Sequence, residues 1–234
     1  IPEINPDDIL EHQGIISSPN CSTIVMLMAL APLHRANPIK RVIVDTYQSA
    51  SGAGGKGIVE LMQQARDVFE DKETKHSTFP YTLAFNVLPH VEDFTEDDYT
   101  TEEIKMQNET RKIMHLPDLP VSATCVRVPV PISHSEAVHI EFAHPFTPQE
   151  ARHVLSEAPG VIVRDDVAHK VYPLAMDATG KDEVFVGRIR KDLALENGLS
   201  IWVVGDNLRK GAALNAVQIA EEVLKKGLLL SRRV

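Results

Sequence analysis

Apolar residues gather along this chain in two ways, as one long run and as short β-branched clusters. The run from Ile24 to Leu33 suffices for three helical turns, and it follows a Pro19-Asn20 turn that places Cys21 at a helix start with Asn20 as N-cap. The clusters predict strands over Ile39 to Tyr47, Ser122 to Val130, Ala137 to Phe142, Val161 to Val163, Val184 to Ile189 and Ile201 to Val204. Helical spacing returns at Ile58, Leu61, Met62, Ala65, Val68 and Phe69, predicting an amphipathic helix to about Glu70. Thr101 to Met114 reads as a charged helix, and Thr147-Pro148-Gln149-Glu150 opens another that runs to about Ala158. Asn207 to Lys226 reads as a long helix with Val217, Ala220 and Leu224 on one side and Gly227 just past its end. Between these lie a small-residue loop from Gln48 to Gly57, a polar loop from Lys72 to Pro80, a short apolar stretch from Leu83 to Leu88, and an acidic segment, Glu92 to Asp98, that reads as a solvated turn. The mixed order predicts an α+β domain with a largely antiparallel sheet covered by helices.

Composition narrows the function. With 43% hydrophobic residues in 234, the chain can bury a full core, and its net charge of −9 includes no basic block. Nucleic acid and anionic membranes are therefore poor partners on electrostatic grounds. Two cysteines form no disulfide framework, which suits a reducing cytoplasm. No apolar run approaches the length that spans a bilayer. The polar lead-in from Ile1 to Gln13 does not read as the first strand of a domain, and the sequence reads as entered in the middle.

The chemistry starts at Cys21. Unpaired N–H groups and the positive end of the helix dipole favour an anion there, so the thiol should be acidified toward thiolate. Taken alone, Cys21 fits a small buried core residue equally well. The loop from Gln48 to Gly57 lets backbone approach a ligand closely but lacks the ending of a phosphate-binding P-loop. Glu102 and Lys105 share a helix face, which alone reads as an exposed salt bridge. Arg127 and His134 flank the connection between two predicted strands. A Cys at a helix start, a distant His and cations between them suit thiolate attack on an acyl group, with His as acid/base. No spacing of the histidines suggests a metal site.

Several motifs together resemble the aspartate-β-semialdehyde dehydrogenases: Pro19-Asn20-Cys21-Ser22-Thr23, Thr46-Tyr47-Gln48 followed by Ser51-Gly52-Ala53-Gly54, Glu102 with Lys105, Arg127 with His134-Ser135-Glu136-Ala137, and Gly205-Asp206-Asn207 running on to Ala213. The resemblance is collinear from Ile1 to about Leu229. It implies that Cys21 is the nucleophile that forms a thioacyl-enzyme, that His134 is the acid/base, and that Gln48 orients the acyl group. Arg127 and Glu102 would bind the amino-acid end of the substrate, Lys105 and Asn20 its phosphate, while Ser51, Gly52 and Asn207 would lie near the nicotinamide of NADP. The implied reaction is NADPH-dependent reductive dephosphorylation of L-4-aspartyl phosphate to L-aspartate 4-semialdehyde, in lysine, threonine and methionine biosynthesis. The implied fold, spanning 1–234, is a C-terminal domain of the glyceraldehyde-3-phosphate-dehydrogenase type, a cytoplasmic homodimer pairing through its sheet.

Two departures accompany the resemblance. The family's nucleotide-binding half is not in this sequence, so the chain reads as a catalytic and dimerisation domain with negligible turnover by itself, and its last helix would pack on that half. The loop from Lys72 to Pro80 is also short. N-acetyl-γ-glutamyl-phosphate reductase shares the thiolate chemistry and is the rival enzyme, with Asn20 and the Glu102/Lys105 pair against it. A non-catalytic dimerisation module is the rival from another class.

Overall fold

The structure, a computed structural model, describes residues 1–228, so residues 229–234 of the expected domain lie outside it. Helix α1, Cys21–Ala36, lies at its centre. Apolar side chains on every side of α1 are buried, among them Ile24, Val25, Met26, Leu27, Leu30 and Leu33. A helix that is hydrophobic all round needs cover all round. The sheet provides one side, while α3 (Thr101–Ile113) and α4 (Pro148–Ser156) provide the other. Both outer helices begin in reciprocal capping boxes, Thr100 with Glu103 and Thr147 with Glu150.

Six strands form one sheet in the order β2-β1-β3-β6-β5-β4. They are β1 Ile39–Gln48, β2 Val121–Arg127, β3 His134–Phe142, β4 Val161–Val163, β5 Val184–Lys191 and β6 Gly198–Gly205. The inner pairings β1·β3, β3·β6 and β5·β6 are antiparallel, as the sequence suggested, whereas the outer pairings β1·β2 and β4·β5 are parallel. Parallel neighbours need a crossover. Between β1 and β2 it is built from α2 (Gly55–Phe69), the segment 70–100 and α3. The parallel pairing sets Gln48 opposite Arg127, so two future site residues end adjacent strands at the same height.

Three expectations need correction. The predicted strand to Val130 stops at Arg127, because Val128 turns to bond back to Gln48 and Val130 lies in a Pro-rich turn. The long C-terminal helix is a π-turn at Arg209–Ala213 followed by α6, Leu214–Lys225, closed by Gly227 at φ 65°. Its stripe at Val217 and Leu224 is exposed among the described residues, while Lys210 below it is buried against Glu3, Asn215 and Gln218. A single turn, α5, occupies Ala175–Ala178.

Helix α2 is the third correction. Of its predicted stripe, Leu61 is buried with Ala65 packed beside it, but Met62, Val68 and Phe69 are exposed, and the buried side also carries Glu60 and Gln64. These two fasten the polar loop. Glu60 accepts from Ser77 N–H and Oγ and from Thr78 N–H, while Gln64 accepts from Leu83 N–H and donates to the Lys75 carbonyl. No helix among the described residues is long and apolar enough to cross a membrane.

Candidate active site

The site forms where α1 and β3 begin and where β1 and β2 end. The Asn20 side-chain oxygen accepts from the N–H groups of Ser22 at 2.9 Å and Thr23 at 3.1 Å, so the cap forms as its sequence predicts. Its amide nitrogen donates to Glu102 at 2.8 Å, and Gln48 Nε2 donates to the other Glu102 oxygen at 2.9 Å. The Glu102 carboxylate thus joins the helix cap to the end of β1. The Asn20 N–H donates to Glu109 at 2.8 Å, a contact no sequence pattern announced.

Cys21 Sγ stands 3.2 Å from His134 Nε2 across 113 residues of sequence. The expected acidification of Cys21 does not hold in this structure. Burial pushes the thiol up to about 12, and Glu102 adds to the effect, while the Ser22 N–H and Arg127 oppose it only in part. Burial, with Arg127 in second place, pushes His134 down to about 3. Both shifts favour the neutral forms. Desolvation disfavours both charged forms and outweighs the helix dipole, which is worth about 0.3–1 kcal/mol at a typical terminus.

Arg127 is buried, and its Nη1 donates to the Ser49 carbonyl at 2.7 Å. Gly52 sits directly above it, where an added Cβ would stand 2.5 Å from that nitrogen and 3.4 Å from His134 Cε1. Asn207 lies on the far side, its oxygen accepting from Ser51 Oγ at 2.9 Å, Ser49 Oγ at 3.2 Å and Ser133 N–H at 3.0 Å. Ser51, Gly52 and Asn207 therefore share one border of the site. Ser133, with φ 76°, makes the turn that delivers His134 into β3.

Lys105 stands apart. Its ammonium is held by both oxygens of Glu92, at 2.6 and 2.7 Å, and lies 4.0 Å from Glu102. The acidic segment that reads as a solvated turn therefore supplies a specific partner. The sequence also left Ser49 and Gly211 without roles. Gly211 packs under the nucleophile, where a Cβ would lie 3.1 Å from the Cys21 Cβ. Gly211 falls inside a quoted motif and Ser49 lies between two of them, but spacing does not say which residue faces the sulfur. Cys125 lies in the core beside Met106, and burial raises its thiol further still. No cluster of metal-ligating side chains occurs among the described residues.

Comparison with known proteins points to one family. The family described as semialdehyde dehydrogenase, dimerisation domain, matches residues 30–210. The aspartate-semialdehyde dehydrogenase of Aquifex aeolicus is 55% identical over 232 residues, covering 98% of this chain and 68% of that protein. The Bacillus subtilis enzyme of that name is 48% identical over 237 residues, with the same coverage. The crystal structure of aspartate semialdehyde dehydrogenase II from Vibrio cholerae superposes with a TM-score of 0.93 at 44% identity, covering 96% of this chain and 67% of that one, and a second crystal structure of it, complexed with ASA, superposes equally well. These relatives support the dehydrogenase reading and not the reductase rival. With matches of this identity along nearly its whole length, this chain belongs to the aspartate-semialdehyde dehydrogenase family.

Proposed function

We propose that Cys21, His134 and Gln48 carry the chemistry of the family's reaction, the NADPH-dependent reductive dephosphorylation of L-4-aspartyl phosphate to L-aspartate 4-semialdehyde. The observation that carries this reading is the 3.2 Å approach of Cys21 Sγ to His134 Nε2 at a capped helix start. In the biosynthetic direction the Cys21 sulfur bonds to the acyl carbon, the carbon–oxygen bond to phosphate breaks, and a thioester remains on the chain. Gln48, held by Glu102, is placed to orient that acyl group. Arg127 offers a planar fork that suits the substrate carboxylate better than a lysine would. Glu102 faces the substrate's ammonium group, while Asn20 and Lys105 face its phosphate.

The border formed by Ser51, Gly52 and Asn207 fits a nicotinamide. Gly52 is exposed and carries no side chain above Arg127 and His134, which leaves room for a flat ring beside the nucleophile. When bound, NADPH supplies the hydride that reduces the thioester. The chain's own part is to hold the acyl group, exclude water and give a proton at His134 Nε2. The homodimer contact falls on the sheet face away from α1, where Ile43 and Tyr47 are exposed and the Tyr47 ring lies 5.3 Å from Trp202. The nucleotide-binding half expected from the resemblance and the single-domain extent 1–234 belong to the same proposal.

The test is acylation of the chain by aspartyl phosphate, followed by mass spectrometry, since thioester formation precedes any hydride transfer. An acyl adduct on Cys21, absent from Cys21→Ser and slowed in Gln48→Ala, is expected. Acylation at another residue, or none, overturns the assignment.

A further inference from the structure

The chain enters α1 through an exposed stretch, Gly14 to Ser18, so the place of Cys21 depends on what holds its N-cap. All four polar atoms of Asn20 are engaged. Its side-chain oxygen and its carbonyl serve α1 itself, accepting from Ser22 and Thr23 and, at 2.9 Å, from Ile24. Its two nitrogens reach outside the helix, and both end on α3. The side-chain nitrogen donates to Glu102, and the backbone N–H donates to Glu109 at 2.8 Å. Glu102 and Glu109 are seven residues apart, about two helical turns, so the two carboxylates share one face of α3.

Their tasks differ. Glu102 belongs to the proposed substrate site and also holds Gln48. Glu109 grips the main chain, at an N–H that a helix leaves without a partner of its own. A carboxylate there meets the positive end of α1 and makes a charge-assisted bond. Burial pushes Glu109 up, and the Asn20 N–H is the strongest influence that draws it back. Helix α3 is in turn fastened to β2 and the segment before it, by Gln107 on the Val121 carbonyl at 2.9 Å, Arg111 on the Leu119 carbonyl at 2.8 Å, and the Cys125 N–H on Glu103 at 2.9 Å. The last residue of β2 is Arg127.

We infer that Glu109 is a positioning residue for acylation: through the Asn20 N–H it fixes the start of α1, and with it Cys21, to the helix that is fastened to the strand of Arg127. The inference rests on the reading of Cys21 as nucleophile and Arg127 as clamp on the substrate carboxylate. Glu109 acts through Asn20 and sets the distance from sulfur to clamp. That distance decides whether the sulfur meets the acyl carbon, and a misplacement of about 1 Å can slow a reaction about 100-fold.

The test is the single-turnover rate of Cys21 acylation at saturating aspartyl phosphate, read by mass spectrometry together with the final fraction acylated. Glu109→Gln keeps an acceptor for the Asn20 N–H and should stay within about threefold of the wild-type rate, while Glu109→Ala and Glu109→Asp, which lose or fall short of the contact, should slow by about tenfold or more with the final fraction unchanged. A merely structural Glu109 would lower the final fraction at an unchanged rate, and that result overturns the inference. So does a Glu109→Gln as slow as Glu109→Ala, which would mean that the charge matters and not the contact. Should Glu109→Ala fail to fold, Glu109→Asp decides, since a wild-type rate there overturns the inference as well. Amide hydrogen exchange of the peptide that carries Asn20 needs no substrate. Faster exchange in Glu109→Asp than in the wild type is expected, and equal exchange overturns the inference. Failure of the functional reading is separable, since it would appear as a protected Asn20 amide in a wild-type chain that is not acylated at Cys21.

Discussion

A Cβ added to Gly52 would stand 2.5 Å from Nη1 of Arg127, the nitrogen that donates to the Ser49 carbonyl. The glycine thus leaves the space that this guanidinium occupies, and Arg127 is the proposed clamp on the substrate carboxylate. Gly52→Ala meets no backbone penalty, because Gly52 is not among the residues with positive φ. It must push the guanidinium from its place. The expected outcome is a rise of about tenfold or more in the aspartyl phosphate concentration that half-saturates acylation of Cys21, from loss of a charge-assisted clamp, with the melting temperature nearly unchanged. An unaltered half-saturation would remove Arg127 from the clamp.

Lys105 is held by Glu92 in this structure and must be released to meet a phosphate. Glu92→Gln removes the competing charge from an exposed pair, which is worth about 0.2–1 kcal/mol. The phosphate concentration that half-saturates phosphorolysis of the acylated chain should therefore fall by up to about fivefold. Lys105→Ala should raise the same concentration. If neither changes, Lys105 does not contact phosphate.

Glu136 lies fully buried on β3, and neither carboxyl oxygen has a hydrogen-bond partner among the described residues. Burial, followed by the nearby charge of Glu102, raises it well above the usual carboxylate range. The native state therefore keeps a proton that the unfolded chain loses. Its contribution to stability is fully present below the unfolded value, about 4.3, and is lost as pH rises through the folded one. Glu136→Gln removes that loss. Melting temperatures of the two proteins should differ least near about pH 4 and diverge in favour of the variant toward about pH 8. Divergence in favour of the wild type would mean an ionised and partnered Glu136.

His134 has the opposite sign. Its folded value is depressed to about 3, so the stability it contributes is present above the unfolded value, about 6.5, and is lost as pH falls through the folded one. Acid destabilisation between those limits should be shallower in His134→Gln than in the wild type, as read from urea midpoints. Equal slopes would mean that another group carries the acid limb.

Lys210 is buried, its ammonium within 2.5 Å of Glu3, 3.0 Å of Asn215 and 2.7 Å of Gln218. Lys210→Ala leaves Glu3 without its cation and opens space under α6. A loss of about 3–5 kcal/mol is expected in denaturant unfolding. A loss under about 1 kcal/mol would mean that α6 does not depend on this contact.

The sequence by itself determined the parts whose cause is local. Pro19-Asn20 before an apolar run fixes the start of α1, Thr147 with Glu150 fixes the start of α4, and β-branched clusters fix the strands, because caps and side-chain periodicity act over a few residues. The motifs were legible as chemistry for the same reason. Tertiary structure decided what depends on distance and burial. It paired β1 with β2 in parallel and so set Gln48 beside Arg127. It buried Glu60 and Gln64 of α2 beside Leu61, because they find loop N–H groups there, while Met62 and Phe69 face outward. It gave Lys105 to Glu92, across a loop that spacing along a helix cannot anticipate. It also set burial against the acidification expected at Cys21: a helix dipole is a property of the local chain, but desolvation is a property of everything packed around the sulfur, and it pushes the thiol upward.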